Sequence, residues 1–336
     1  MIETLKKIRG GQSLNQSEME MAMTSILDGS VTPSQIGAFL MGLSLKGETT
    51  DEITAAAKIL RSKAAHINSP IGTIDCCGTG GDHSNSLNIS TATAFIVAAN
   101  GIPVAKHGNR AASSSSGAAD VLEALGVNID IPPEACENAL KDFGYCFLMA
   151  PRHHTILKPL AALRKELGFR TIFNLLGPLV NPASTKIQLI GVYDRRFLVP
   201  IAEALHNLGT TSACIVHGDD GLDEITLTGP THIAELKNGT IITSILTPED
   251  FGLPYCETED FKGKDAAYNA SELLELLKGK HSAYRNIVLA NAAAALFLAE
   301  KATNLKEAVE LAANSLDTGR ALKLFEAYRN FTQKYK

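Results

Sequence analysis

One stretch narrows the possible folds more than any other. The apolar run Thr73–Cys77 breaks directly into Gly78-Thr79-Gly80-Gly81-Asp82, and an apolar segment, Asn88–Asn100, follows. A strand that ends in glycines and feeds a helix opens a βαβ unit. The alternation continues with a strand at Pro103–Lys106, a helix at Gly117–Leu125 and a strand at Tyr145–Leu148. It resumes with a strand at Ile187–Val192, a helix from about Phe197 to Leu208 and a strand at Ala213–Val216. Between Glu224 and Leu246 the pattern suggests antiparallel strands, and from Ser271 onward the chain reads as helical. The fold class expected is α/β, with a mainly parallel central sheet and some antiparallel strands.

The first 66 residues follow another rule and read as all-helical. Asn15 with Glu18 three residues on has the form of a capping box, and Met19, Met21, Met23, Ile26 and Leu27 follow. Thr32-Pro33 is an N-cap followed by proline at the first helical position, and that helix stops at Gly47. Thr50 opens a third helix through Ile53, Ile59 and Leu60. The segment from about 157 to 183 fits neither block, because Gly177-Pro178 and Asn181-Pro182 break it. The expectation is a small helical domain over 1–66, to which this crossing segment contributes. A larger α/β domain is expected over 70–155 and 185–336.

Charge and cysteine usage exclude some functions. The 31 Lys and Arg against 36 Asp and Glu leave a formal net charge of -5, which argues against nucleic acid as the main partner. The six cysteines are scattered, with no C-x-x-C pair, and read as reduced thiols of a cytoplasmic protein. Lys6, Lys7 and Arg9 near the start are followed by no apolar core of a signal peptide. The longest apolar stretch, Arg285–Glu300, is interrupted by Asn286 and Asn291. It falls short of the roughly 20 apolar residues of a membrane span and reads as a buried helix.

Four sets of residues could carry chemistry. The Gly78–Asp82 loop could present backbone N–H groups to an anion, or be a tight turn that needs positive φ. It matches neither the Rossmann fingerprint nor a Walker A loop. Asn88-Ile89-Ser90-Thr91 opens the next helix, where hydroxyls either cap the backbone or share the helix end with phosphate. Lys106-His107-Gly108-Asn109-Arg110, followed by Ser113–Ser116, ends the second strand. Loops after parallel strands share one sheet edge, so this basic loop belongs beside the first. Asp223-Glu224 closes the acidic run Asp219–Glu224; dense carboxylates form either a solvated turn or a seat for Mg²⁺. Arg164 alone would be a surface arginine, and His107 and His154 read as orienting hydrogen-bonders.

As a set, these motifs resemble the anthranilate phosphoribosyltransferase family, a branch of the nucleoside phosphorylase-like phosphoribosyltransferases. The likeness rests on Gly78–Asp82, Asn88–Thr91, Lys106–Arg110, Ala119–Gly126, Arg164–Gly168, Arg170–Pro178, Asn181-Pro182, Gly191–Tyr193 and Gly221–Glu224, in that order. It implies a magnesium-dependent enzyme that joins a phosphoribosyl group to anthranilate in tryptophan biosynthesis. It also implies a helical domain hinged to an α/β domain, the active site between them, and a homodimer formed through the helical domain.

By motif, the resemblance assigns phosphoribosyl pyrophosphate to Gly78, Gly81, Asp82, Ser86, Asn88, Ile89, Ser90, Thr91, Lys106, His107, Gly108, Asn109 and Arg110. Ser113, Ser114 and Ala118 complete that set. Anthranilate falls to Gly78, Asn109 and Arg164, two magnesium sites to Ser90, Asp223 and Glu224, and the catalytic roles to Lys106, Asp223 and Glu224. Ala118 stands where the family usually carries serine, and Thr155-Ile156 where it has Pro-Ala. A glutamine amidotransferase partner is neither implied nor excluded by these residues. Two other readings share the fold: a pyrimidine nucleoside phosphorylase and a non-catalytic nucleic-acid-binding relative. Arg164 in its context and Asp223-Glu224 favour the transferase over the first. The net acidity and the complete Lys106–Arg110 loop speak against the second.

Overall fold

Three capping boxes punctuate the N-terminal helices. Each donates a side-chain acceptor to the N3 amide and receives the N3 side chain in return, which satisfies two orphan N–H groups at once. The helices are α1 (Ile2–Arg9), α2 (Gln16–Leu27), α3 (Pro33–Lys46) and α4 (Thr50–Ser62) in a computed structural model that describes residues 1–111 and 115–336. Asn15 accepts from the Glu18 amide at 2.9 Å, and Thr32 plays the same part for Gln35. α4 opens at Thr50, as read from the sequence, and is capped by Thr49: its hydroxyl accepts from the Glu52 amide and Glu52 answers at 2.9 Å. The sequence reading also lacked α1, a two-turn helix that fully buries only Ile8.

A seven-stranded sheet forms the centre of the rest. Its strands are β1 (Ile74–Gly78), β2 (Val104–Gly108), β3 (Tyr145–Met149), β4 (Ile187–Gly191), β5 (Ser212–Gly218), β6 (Thr231–Lys237) and β7 (Thr240–Leu246). They lie in the order β3-β2-β1-β4-β5-β6-β7. The first five are parallel, and β6 and β7 close one side as an antiparallel hairpin. The antiparallel part begins only at Thr231. Residues 224–230 are irregular, because their alternating apolar side chains are buried without a strand partner. From β1 the chain moves to β2 on one side, whereas β4 lies on the other. The strand order therefore reverses between β1 and β4, where open α/β sheets hold ligands beyond their carboxyl ends.

Strand alternation divides the interior into two cores. Cys76, Leu189, Cys214 and Val216 face α5 (Ile89–Ala99), α6 (Ala118–Ala124), α7 (Pro133–Phe143) and the C-terminal helices. These last are α12 (Ala266–Leu277), α13 (Ala283–Leu298), α14 (Leu305–Asp317) and α15 (Arg320–Thr332), with numbers α8–α11 falling to the elements below. Cys77, Ile190, Ala213 and Ile215 face the opposite way, toward α11 (Leu198–Asn207), and join the core of α2–α4. A strand side-chain period of two produces this split. The adjacent Cys76 and Cys77 are thus core on two different faces. α7 went unrecognised in the sequence because half its surface is charged, although Ala135, Cys136, Ala139 and Leu140 line its inner face.

The crossing segment folds as α8 (Ala150–His153), α9 (Leu160–Leu167), α10 (Ile172–Leu176) and a 3₁₀ turn at Gly177–Val180. α9 packs on α3 and α10 on α4, so the segment augments the helical domain. Asn181, read as a breaker, stitches it to the sheet. Its amide donates to Asp75 Oδ2 at 2.7 Å and to the Ala105 carbonyl at 2.8 Å.

Candidate active site

The site starts from two glycines paired in register at the strand reversal, Gly78 and Gly191. A Cβ on Gly78 would lie 2.5 Å from Asp223 Oδ2, and one on Gly191 would lie 1.5 Å from the Asp223 carbonyl oxygen. Only hydrogen at both positions lets the chain after β5 cross the ends of β1 and β4. The Gly80 amide donates to Asp223 Oδ2 at 2.7 Å, and the Asp223 amide approaches Asp82 Oδ2 at 3.4 Å. The glycine loop is therefore both of the things its sequence allowed. It turns through positive φ at Gly80 and Gly81, and at Gly80 its amide already holds an anionic side chain.

Glu224 meets the next element. The Ser90 amide, at the N-terminus of α5, donates to Glu224 Oε1 at 3.0 Å. Lys106 is almost fully buried; its ammonium donates to Ser90 Oγ at 3.1 Å and to the Cys76 carbonyl at 2.6 Å. Thr91 lies beneath the surface with an unpartnered hydroxyl, whereas Ile89 and Ser90 border the cleft. Asp75, also buried, accepts from the His107 amide at 3.2 Å; burial pushes its carboxyl up to about 6 against the pull of Lys106.

The second loop divides its residues between cleft and scaffold. Asn109, Gly108, Ser115, Ser116 and Ala118 line the cleft. Ser113 and Ser114 lie outside the described residues. Arg110 borders the cleft, but its guanidinium pairs with Asp120 and Glu123 of α6, which ties the loop to that helix. His107 Nδ1 donates to the Gly177 carbonyl, 3.0 Å away, and burial drives its pKa down to about 3. Asn88 is fixed from behind: Asn269 of α12 donates to its Oδ1 at 3.0 Å, and the Tyr284 hydroxyl to its carbonyl at 3.2 Å. That arrangement turns the Asn88 amide nitrogen toward the Ser116 carbonyl, at 3.4 Å. Ser116 Oγ is buried without a partner beside the Ala118 position. Sequence reasoning gave no individual role to Gly191 or Asn269; each is a common residue whose place is set by distant chain.

Across the cleft stand residues of the crossing segment. Arg164 is half-buried over the Phe173 ring, 5.2 Å from its centroid, and has no acidic partner among the described residues. His154 packs edge-on against His107 at 5.3 Å with both ring nitrogens unpartnered, and burial lowers its pKa to about 4. Neutral histidines and one free guanidinium suit a small aromatic acid. The whole cleft has a volume of about 470 Å³, and Gly80, Lys106, Arg164 and Glu224 all face it.

The donor set fits a hard cation. Burial raises the Asp223 carboxyl well above its ordinary range, and Asp82 and Glu224 add repulsion. Glu224 is pushed up to about 7 by burial, despite Lys106 and the Ser90 amide. Among the described residues no three His, Cys, Asp or Glu side chains form a metal cage by themselves. Mg²⁺ asks for none: it takes one or two carboxylates and leaves its other positions to substrate phosphates and water.

Comparison with known proteins agrees with this architecture. Residues 2–64 match the glycosyl transferase family helical bundle domain, and residues 71–322 match the glycosyl transferase family a/b domain. Fold and site together therefore define a two-domain glycosyltransferase. An anthranilate phosphoribosyltransferase of Rhodopseudomonas palustris is 52% identical over 94% of both chains. The crystal structure of anthranilate phosphoribosyltransferase from Thermus thermophilus matches with a TM-score of 0.92 at 40% identity, covering 98% of this chain and 99% of the other. The Saccharomyces cerevisiae enzyme in complex with phosphoribosyl pyrophosphate and Mg matches with a TM-score of 0.90 at 27% identity, over 99% and 98%. The chain belongs to the anthranilate phosphoribosyltransferase family.

Proposed function

We propose that this chain transfers the 5-phosphoribosyl group from phosphoribosyl pyrophosphate to the amine of anthranilate in tryptophan biosynthesis. The products are N-(5-phosphoribosyl)anthranilate and pyrophosphate. One observation carries the reading: the loops after β1, β2 and β5 and the N-terminus of α5 meet in one cleft, opposite an unpaired Arg164. The yeast relative's complex with phosphoribosyl pyrophosphate and Mg supports it.

The aromatic amine is neutral at pH 7 and a weak nucleophile, so departure of pyrophosphate runs ahead of attack. Positive charge then develops on the ribose and negative charge on the leaving group. Positioning and charge stabilisation supply the acceleration. Gly78, Gly81, Asp82, Ser86, Asn88, Ile89, Ser90, Thr91, Lys106, His107, Gly108, Asn109, Ser113, Ser114 and Ala118 bind the phosphoribosyl pyrophosphate, and Arg110, its guanidinium tied to α6, holds their loop in place. The N-terminus of α5 and the Lys106 ammonium face its oxygens. Asp223, Glu224 and Ser90 would hold magnesium at two sites, where the metal would offset charge on the pyrophosphate. Arg164 takes the anthranilate carboxylate with its planar fork, beside Asn109 and Gly78. The neutral rings of His107 and His154 flank the aromatic substrate without adding charge.

Three further assignments belong to this proposal. Ile2, Met21, Met41 and Leu45 leave apolar side chains exposed on α1–α3, which supports a homodimer through the helical domain. No helix among the described residues is long and apolar enough to cross a membrane, in keeping with a cytoplasmic site of action. The domain division proposed is 1–66 with about 157–183 against 70–155 with 185–336.

The test is direct. Anthranilate fluorescence should fall when protein, phosphoribosyl pyrophosphate and Mg²⁺ are combined, and not when any one is left out. Unchanged fluorescence together with thymidine phosphorolysis would replace the proposal with the phosphorylase reading.

A further inference from the structure

We propose that Asn291 is a positioning residue for the acid pair, holding Asp223 and Glu224 at the cleft edge through the backbone of Ile225. The inference rests on the reading of the site given above. Asn291 interrupts the long apolar helix α13 and is fully buried among Ala290, Ala292 and Ala293. A buried amide is costly unless its hydrogen bonds are made. Those of Asn291 are made in a specific way. Oδ1 accepts from the Ile225 amide at 3.0 Å, and Nδ2 donates to the Ile225 carbonyl at 2.9 Å and to the Ile287 carbonyl at 2.9 Å.

Ile225 belongs to the irregular stretch after β5, whose buried backbone has no adjoining strand. Such backbone must find partners elsewhere. A primary amide carries a donor and an acceptor side by side, as a peptide group does. Asn291 therefore stands in for a neighbouring strand at a single residue, the one that follows Glu224. On the other side Asp223 is gripped by the Gly80 amide and wedged against Gly78 and Gly191. The two carboxylates, crowded with Asp82, repel one another; only a backbone pinned at both ends keeps them convergent. Outer contacts of this kind govern how firmly a site holds its ion.

The experiment compares Asn291→Asp and Asn291→Ser with Leu296→Ala, a cavity variant at a fully buried position of the same helix. Free Mn²⁺ is followed by electron paramagnetic resonance in the presence of phosphoribosyl pyrophosphate, and Tm is recorded for each protein. Both Asn291 variants should raise the half-saturating Mn²⁺ by about tenfold or more, in the range known for outer-shell substitutions. Leu296→Ala should lower Tm yet leave Mn²⁺ binding within about twofold, since it touches no polar contact of the site. Unaltered Mn²⁺ binding in a folded Asn291 variant overturns the inference, as does an equal loss in Leu296→Ala. If Asn291→Asp does not fold, Asn291→Ser alone decides by the same criterion. Absence of pyrophosphoryl-ribose-dependent Mn²⁺ binding in the unaltered protein overturns the reading of the site, and the inference with it.

Discussion

Gly191, the last residue of β4, lies directly against the carbonyl of Asp223, so closely that no side chain could stand between them. This contact decides where the acid pair can be, because a backbone atom cannot turn aside as a side chain does. Gly191→Ala should therefore displace residues 222–225 and cost about 3 kcal/mol, the upper range for overpacking. Turnover should fall further than stability accounts for. A crystal structure of the variant with Asp223 unmoved would refute the argument.

Removing the charge of both acids tests the metal role. Asp223→Asn combined with Glu224→Gln preserves shape and the nearby hydrogen-bond geometry while withdrawing two negative charges. Turnover should fall by at least about 1,000-fold, a loss of several kcal/mol of charge stabilisation. Near-normal turnover at low Mg²⁺ in this double variant would contradict the assignment.

The same burial makes metal-free stability depend on pH. Glu224 is held near 7 in the fold against an ordinary 4.5, so the folded state keeps a proton that the unfolded chain gives up earlier. The stabilising contribution of protonated Glu224 is complete below about pH 4.5 and disappears as pH rises through about 7. Without metal, Glu224→Gln should match the unaltered protein below about pH 4.5, gain on it as pH rises toward about 7, and keep a constant advantage above that. Tm profiles of the two proteins measure this. Parallel profiles would mean that Glu224 ionises normally.

Arg164 approaches the cleft with an aromatic ring beneath it and no carboxylate beside it. Arg164→Ala should raise the anthranilate KM by roughly 10- to 150-fold, the equivalent of about 1.5–3 kcal/mol for hydrogen bonds to a charged group. The KM for phosphoribosyl pyrophosphate should change far less. Equal shifts in both constants would remove Arg164 from the anthranilate position.

Legibility differed from residue to residue. The Asn15–Glu18 and Thr32–Pro33 signals act over three or four residues, and both caps form where their spacing put them. The start of α4 at Thr50 was legible too, though its cap, Thr49, was not named, since the adjacent threonines offer the same hydroxyl. α13 could be read as buried from its composition, but not the purpose of Asn291, whose partner is 66 residues away. Arg110 reads as a phosphate-facing cation in its motif; the fold instead ties its guanidinium to Glu123 and Asp120.

The amino-acid order alone determined the alternation of strand and helix, the glycine-rich turn and the acidic pair, because propensity, capping and turn chemistry are local. Only the tertiary structure decided which side chains share the cleft. Gly78 and Gly191 are 113 positions apart and Asp223 lies further still, yet strand pairing at the sheet reversal brings the three into contact. Burial then sets their charge states. Solvent exclusion around Glu224, Asp75 and His107 is a property of the packed interior, and no stretch of sequence contains it.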